Sequence, residues 1–461
     1  MKEEPEIRTP TGFRRPWLRS ERSVPRFVVR PLERFLELEA GSASLLLAAA
    51  LAALVWSNLA PESYDDLWSS GLAVDLGPLE LEEDLRHLVN DLLMAVFFYV
   101  VALEVKREIL FGSLRERRSA AVPIAAALGT MVGGAAVYLA INLDGGELRG
   151  WAIPIAADIA FALGVLGLAG RRAPRELRPF LLTLAIVDDL GTIAIIALFY
   201  ARGLSLAWLA AAAGLALTIV LLQRLGVRHL VPYVALAALL WLAVFESGVH
   251  ATIAGVLLGF LTPAFAFHSR QKTGELIGAR LSEIARSDAE VSEGTLLETS
   301  LLAREAVSPL TRMESQLHPW SAYLILPVFA LANAGVTVSL DGIADALTGR
   351  VGLGVALGLV VGAPLGGFLF AWLPVRFGPA RLPDGLDLPA IGALTPLKGI
   401  GFTVAIFVTT LAFEDETLRE QATLAILIGS ATAALIGLAA LHARPKILAH
   451  RRDTSGGASG P

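Results

Sequence analysis

The sequence predicts an all-α polytopic membrane protein with about twelve transmembrane helices. Three observations lead to this fold class: the composition, the length of the apolar runs and the distribution of basic loops. Of 461 residues, 55% are hydrophobic and 18% are charged, whereas soluble domains average about 25% charged residues. The apolar runs approach the roughly 20 residues that a helix needs to cross the hydrocarbon core of a bilayer.

The same composition excludes several classes of protein. A secreted disulfide scaffold, a disordered chain and an ordinary cytosolic enzyme do not fit this hydropathy. The chain has no cysteine, so disulfides and thiolate metal sites are excluded. The net charge of −5 and the pI near 5.9 give no basic footprint, so we expect no nucleic-acid partner.

Twelve apolar segments, called spans 1 to 12, are predicted to cross the membrane. The segment 248–262 is short and requires support from its neighbours. The spans are 42–59, 87–109, 119–141, 150–169, 177–200, 205–222, 230–245, 248–262, 320–337, 350–373, 388–412 and 419–441.

Basic residues alternate between the loops and so set the orientation. The basic loops include Lys106–Arg118, Arg171–Arg178 and the long loop. The predicted organisation is a cytoplasmic arm at 1–41, spans 1–8 within 42–262, a cytoplasmic loop at 263–319, spans 9–12 within 320–442 and a cytoplasmic tail at 443–461. We therefore expect a multi-pass plasma (inner) membrane protein with both termini in the cytoplasm.

Two of the connecting segments have a pattern of their own. Residues 71–81 alternate in polarity around a Gly-Pro pair, which predicts a small β-hairpin. The 263–319 loop is longer than a compact connection requires, and its segment Glu275–Arg286 has the spacing of a surface helix, although a solvated loop is the favoured interpretation.

Three aspartates interrupt apolar spans. Asp158 lies in span 4, just after Pro154, and Asp188 and Asp189 are adjacent in span 5. A charge at the centre of a span costs about 2.5–3.5 kcal/mol on insertion scales, so such residues usually face a cavity and mark an ion or proton path. The alternative is that they are protonated and only join helices by hydrogen bonds.

Adjacent carboxylates can bind protons, or a hard cation that prefers oxygen ligands, but not both fully. Their titrations are coupled because each charge disfavours the other. This competition is the chemistry that a proton–cation exchanger requires.

A second interruption falls in span 11, where Pro396, Gly399 and Gly401 break the helix and Lys398 lies at the break. Backbone groups freed inside a bilayer are tolerated only around a protein-lined cavity. Spans 3–5 and 10–12 are then two helix triplets, each with a broken middle helix and in opposite orientations. This pattern is the inverted repeat of secondary transporters.

Several stretches together resemble the NhaA family of sodium/proton antiporters, from about Ser42 to His442. The family is itself a known example of an inverted-repeat transporter, so that part of the fold also rests on the resemblance. The stretches are NDLLMAVFFYVVALEVKRE (90–108), GWAIPIAADIAFALGVL (150–166), LAIVDDLGTIAIIALFY (184–200), SGVHATIAGVLLGF (247–260), HPWSAYLILPVFALANAGV (318–336) and GIGFTVAIF (399–407).

The resemblance implies that Na⁺, and Li⁺ as a second substrate, is expelled in exchange for external H⁺ by alternating access under pH regulation. It implies Asp189 as the principal cation and proton carboxylate, with Asp188 as its partner. Asp158 would compensate the broken helices. No cofactor is expected, and the proton gradient drives the cycle.

The resemblance also implies regulatory and assembly roles. Glu104 and Glu108 would lie at a cytoplasmic funnel that senses pH, and His250 is grouped with them. The 71–81 hairpin would join two copies in a homodimer, and lipid would surround the spans.

The sequence departs from the family in span 10, where Ala363 replaces a lysine that pairs with the first aspartate of the pair. Lys398 stands where the family usually has an uncharged residue. Our hypothesis is that Lys398 supplies the missing charge from a different helix, since buried opposite charges lower each other's cost only when they are close. The alternative is that Lys398 extends to an aqueous funnel.

Three other functions remain open at this point. A sodium-coupled symporter of an organic solute would have a related fold. An intramembrane hydrolase would require a nucleophile or metal motif, and neither Gly-x-Ser-x-Gly nor His-Glu-x-x-His occurs. A non-transporting scaffold would leave the two breaks and the aspartates without a purpose.

Overall fold

The computed structural model describes residues 39–75, 80–112, 115, 117–201, 203–286, 293–378, 380, 382–383 and 385–443. The predicted cytoplasmic arm, apart from its last residues, and nearly all of the predicted tail lie outside these ranges. The described part of the chain is helical apart from one short hairpin and the connecting turns. The predicted fold class is confirmed in this respect.

Seven of the described helices are long and apolar enough to cross a membrane, or nine spans if each of two bent pairs counts as one. They coincide with predicted spans 1, 2, 3, 5, 6, 10 and 12. Their bounds are Gly41–Leu59, Leu85–Phe111, Ala120–Asn142, Leu177–Phe199, Leu206–Arg224, Arg350–Phe377 and Glu416–Ala443.

Spans 4 and 11 are the two bent pairs. In span 4 the 3₁₀ segment Leu148–Ile155 is followed by the helix Ile159–Ala169, at 40° to it. In span 11 the segment Leu388–Gly399 is followed by Phe402–Ala412, at 47°. Proline interrupts both first halves, because its ring blocks the regular helical hydrogen bond.

The remaining spans are shorter or irregular. Span 7 is Leu230–Glu246 and span 8 is the short helix Thr252–Leu261. Span 9 belongs to a helix that begins at Pro309, where the Ser308 hydroxyl accepts the Thr311 N–H, and continues through a π turn at Ser321–Ile325 to Asn333. The helix therefore starts earlier than residue 320, the predicted start of span 9.

Both strands of the predicted hairpin are present. Gly71–Asp75 pairs antiparallel with Glu80–Asp84, and Gly71 lies opposite Asp84. The Gly-Pro turn that prompted the prediction lies outside the described residues. Two short helices, Pro61–Trp68 before the hairpin and Leu340–Thr348 before span 10, lie on the same predicted side of the membrane as the hairpin.

The long loop contains the helices Arg270–Arg286 and Glu293–Glu305. The alternative interpretation, a surface helix around 275–286, is the one that the structure shows. Glu305 joins the second helix to the connections that follow spans 6 and 8, since its carboxylate lies 2.7 Å from Arg228 and 2.9 Å from His268.

Glycines bring spans 3 and 10 into backbone contact. Gly129 and Gly133 on span 3 face Gly366 and Gly362 on span 10, and a Cβ at any of the four would collide with the opposite backbone. Small residues four apart permit this close approach of membrane helices. The contact joins the first helices of the two triplets, and the two breaks cross beside it.

Candidate ion site at the crossing of two broken helices

The two breaks meet and satisfy each other's backbone groups. The Asp158 N–H of span 4 donates to the carbonyl oxygen of Ile400 in span 11, at 2.6 Å. An unpaired N–H or C=O inside a bilayer costs several kcal/mol, so irregular backbone persists there only when other protein groups satisfy it. The crossing is therefore a mutually supported pair rather than two independent kinks.

Asp158 binds the start of both second half-helices with one carboxylate. Its Oδ1 accepts the Phe161 N–H at 3.2 Å, within its own helix. Its Oδ2 accepts the Thr403 N–H at 3.2 Å and the Thr403 hydroxyl at 2.5 Å, across the crossing. A carboxylate at a helix N-terminus is favourable because free N–H groups and the helix dipole place positive charge there.

Span 12 supplies another partner. The Gly401 N–H donates to the Ser430 hydroxyl at 3.1 Å in a buried contact. Gly401 immediately precedes the helix Phe402–Ala412, so its N–H has no acceptor inside that helix. The start of this half-helix is thus held by spans 4 and 12 together.

Lys398 carries the opposite charge to Asp158 and lies at the end of the first half of span 11. Its Nζ is 2.5 Å from Oδ2 of Asp188, and both side chains are 1% exposed. Oδ1 of Asp188 accepts the Thr130 hydroxyl from span 3 at 3.0 Å. The position at a helix C-terminus also favours a cation, because the unpaired carbonyls there carry partial negative charge.

This geometry bears on the alternatives for Lys398. The proximity that direct pairing requires is present, and the lysine does not extend to an aqueous funnel. Two buried charges lose much of their hydration, and only close contact and added hydrogen bonds compensate for that loss. Whether the pair takes part in transport stays a prediction.

Asp189, the next residue, has a different environment. It is partly exposed, and no residue in the described part of the chain donates a hydrogen bond to its carboxylate. It shares a helix face with the buried Ala185 and Ile196, whereas the exposed side of span 5 carries Leu190 and Leu198. Asp189 therefore lies on the buried side of span 5, opposite to Leu198.

The predicted cytoplasmic group is extended by residues that the sequence did not indicate. Oε1 of Glu104 lies 3.6 Å from Nε2 of His318, and Arg107 lies 3.1 Å from Oε1 of Glu314. Both new partners are on the helix that leads into span 9. Burial raises the pKa of the Glu314 carboxyl above its ordinary value, and Arg107 opposes this shift. Glu108 is half-buried one turn beyond Glu104.

Lys106 lies in the same sequence cluster but has a structural contact. Its Nζ donates to the carbonyl oxygens of Phe260 and Thr262, each at 2.6 Å. These carbonyls are at the end of span 8, where the helix leaves its last acceptors free. Lys106 therefore caps span 8.

The grouping of His250 with Glu104 and Glu108 is wrong in position. Nε2 of His250 lies 3.4 Å from Oδ1 of Asp91, and its Nδ1 is 2.9 Å from the Thr252 hydroxyl. Asp91 and Glu104 are 13 residues apart on span 2, about 20 Å along a helix. His250 precedes span 8, which starts beside the start of span 2, so it lies at the opposite end from Glu104.

A sequence model of a protein family matches residues 33–441 of the chain, and that family is described as Na⁺/H⁺ antiporter 1. The match covers all twelve predicted spans, including both breaks and the aspartate pair. It also includes the 263–319 loop and the hairpin.

Individual relatives are similar over nearly their whole length. The Na⁺/H⁺ antiporter NhaA of Rhodopirellula baltica is 43% identical over 90% of this chain and 94% of its own. The protein of the same name from Janthinobacterium is 42% identical over 88% and 92%. That of Proteus mirabilis is 43% identical over 88% and 95%.

Proposed function

The chain belongs to the Na⁺/H⁺ antiporter 1 family, and from this premise we propose that it exchanges Na⁺ for H⁺ at a site formed by Asp188 and Asp189. It is a multi-pass membrane transporter and not a catalytic enzyme. The alternative of a sodium-coupled symporter has no support in these similarities, since the relatives carry the name of antiporters.

The observation that carries this site assignment is the contrast between the two neighbouring aspartates. Asp188 is sealed and paired with Lys398, whereas Asp189 is partly open and accepts no hydrogen bond from the described residues. A carboxylate with free oxygens beside a second one suits a hard cation with oxygen ligands. The same oxygens bind protons, so the two ions compete for one place.

The exchange cycle follows from this competition. Cytoplasmic Na⁺ displaces protons from the pair, and the crossing then moves so that the site faces outside. Na⁺ leaves there and external protons reload the carboxylates. The proton gradient supplies the energy, which makes this a secondary active transporter without a resident cofactor.

Lys398 acts in this scheme as an internal competitor for Asp188. Na⁺ and the lysine ammonium both require oxygens of the same carboxylate, so full Na⁺ binding requires that the ion pair open. If both aspartates exchange protons, two protons enter for each Na⁺ and transport moves net charge. Voltage dependence of exchange in proteoliposomes measures that stoichiometry.

Regulation is assigned to the cytoplasmic end of span 2. Glu104 and Glu108, with Glu314 and His318 beside them, form a charged cluster at the predicted entrance for Na⁺. Ionisation of the buried Glu314 with rising cytoplasmic pH would strengthen its pair with Arg107. The cluster would thereby link pH to access.

The assembly in the membrane follows the same premise. Both termini face the cytoplasm of a bacterial inner membrane, and lipid surrounds the spans. The hairpin of Gly71–Asp75 and Glu80–Asp84 joins two copies in a homodimer. Li⁺ is a second transported cation.

The direct test is dissipation of a pH gradient in inverted vesicles by added NaCl, LiCl or KCl. We expect NaCl and LiCl to dissipate the gradient and KCl to have no effect. The same vesicles with Asp189→Asn should show no response to Na⁺. Equal responses of the variant and the wild type would contradict the site assignment.

A further inference from the structure

Span 12 contacts the break in span 11 close to Lys398, which forms the ion pair with Asp188. The Gly401 N–H donates to the Ser430 hydroxyl at 3.1 Å, and both groups are buried. One and two turns further along span 12, Ala433 and Gly437 pack against Gly399 and Leu397 of the same break. The segment that carries Lys398 is therefore fixed between span 12 on one side and Asp188 on the other.

The Ser430 contact is distinct from the hydroxyl contacts that are usual in membrane helices. Thr432, two residues further along, donates to the carbonyl oxygen of Ile428 within its own helix, at 2.8 Å. Ser430 instead accepts from a different span. A buried backbone N–H left without an acceptor is costly, so this contact affects where Gly401 is placed.

We propose that Ser430 is a positioning residue that stabilises the arrangement in which Lys398 occupies Asp188, and so sets how strongly Na⁺ must compete for the site. This inference rests on the proposed function. Lys398 is three residues before Gly401, and the intervening backbone is not a regular helix. When Na⁺ displaces the lysine, the break is expected to shift and the Ser430 contact to weaken.

The direction of the effect follows from linkage. A bond that is equally strong in two states changes no equilibrium between them, whereas a bond present in one state favours that state. Loss of the Ser430 acceptor should therefore favour the Na⁺-bound arrangement. A hydrogen bond of ordinary net strength corresponds to about a two- to tenfold change in an equilibrium constant.

The test is the KM for Na⁺ in proteoliposomes at fixed alkaline pH, measured for the wild type and for Ser430→Ala. We expect Ser430→Ala to lower the KM about two- to tenfold with the maximal rate unchanged. A merely structural defect would lower the maximal rate or raise the KM. An unchanged or raised KM overturns the inference.

Three further variants sharpen this test. Ser430→Thr keeps a hydroxyl and should retain the wild-type KM, and Thr432→Val removes a hydroxyl from the same helix and should also leave it unchanged. If Ser430→Ala does not accumulate, Ser430→Cys offers a weaker acceptor and should give an intermediate KM. A wild-type KM in Ser430→Cys would then overturn the inference. If the wild type exchanges normally and no Ser430 variant has a lower KM for Na⁺, this inference alone is refuted. If the wild type shows no exchange, the proposed function is refuted.

Discussion

The two broken spans have similar backbones but carry opposite charges. The break in span 4 carries Asp158, whose carboxylate is satisfied inside the crossing by Phe161 and Thr403. The break in span 11 carries Lys398, whose partner is Asp188 on span 5, outside the crossing. The first break is therefore electrostatically self-contained, and the second connects the crossing to the candidate ion site.

This difference indicates how ion binding can be transmitted through the fold. An event at Asp188 acts directly on span 11 through Lys398. It reaches span 4 through the hydrogen bonds that join Thr403 and Ile400 to Asp158. Changes at the second break should consequently affect transport more than comparable changes at the first.

The largest effect is expected when Lys398 is replaced by methionine. Lys398→Met keeps the apolar stem but leaves Asp188 buried without its cation, which typically destabilises a protein by about 3–5 kcal/mol. We expect a lower thermal unfolding temperature in detergent and loss of exchange.

The double variant Lys398→Met with Asp188→Asn is the control for that result. It removes the unpaired charge and should recover much of the stability, although exchange should remain impaired. If Lys398→Met alone were as stable as the wild type, the ion pair would not be a significant part of the folded structure.

A smaller effect is expected at the first break. Asp158→Ala removes both carboxylate oxygens that accept from Phe161 and Thr403, and Asp158→Asn keeps one acceptor oxygen without the charge. Hydrogen bonds to charged groups contribute about 1.5–3 kcal/mol, so alanine should destabilise the protein more than asparagine. Thermal unfolding measures this order, and the asparagine variant should retain more exchange than Lys398→Met. The opposite order of activity would contradict the comparison.

The smallest expected effect lies in the pH profile. Burial raises the pKa of the Glu314 carboxyl, so this group is protonated at low pH and becomes charged only as pH rises further than usual. Glu314→Gln fixes the neutral form and should shift activation of exchange to higher cytoplasmic pH. The profile is measured in inverted vesicles with Na⁺ at saturation.

Glu305→Gln is the matched control for Glu314→Gln. The hydrogen bond from Arg228 lowers the pKa of the Glu305 carboxyl, so this group is charged across the whole neutral range. Its replacement should leave the shape of the pH profile unchanged. Equal shifts in both variants would show that the long loop, and not Glu314 in particular, affects the pH response.

Much of the architecture could be predicted because a bilayer constrains the sequence strongly. Asp158, Asp188, Asp189 and Lys398 are conspicuous since charge is rare within apolar runs. Proline and glycine likewise marked both breaks. The alternation of basic loops separates the spans, and the largest difference is at the start of span 9, whose helix begins in the polar sequence after Ser308.

The missed residues gave no comparable signal. Thr130, Thr403 and Ser430 are small polar residues that usually bond within their own helix, so the sequence does not indicate contacts with another span. Glu314 lies in the segment 263–319, for which a solvated loop is the favoured interpretation, and His318 begins a stretch that resembles the family but receives no role from that resemblance. The resemblance does not place His250 correctly, because its neighbour Asp91 is at the other end of span 2 from Glu104.

The most direct test of the central claim is release of protons by the purified wild-type protein when Na⁺ is added in weakly buffered detergent solution at constant pH. If one carboxylate site binds the two ions in turn, Na⁺ should release protons from the wild type, and Asp189→Asn should release none. Release from Asp189→Asn equal to that of the wild type would contradict the account.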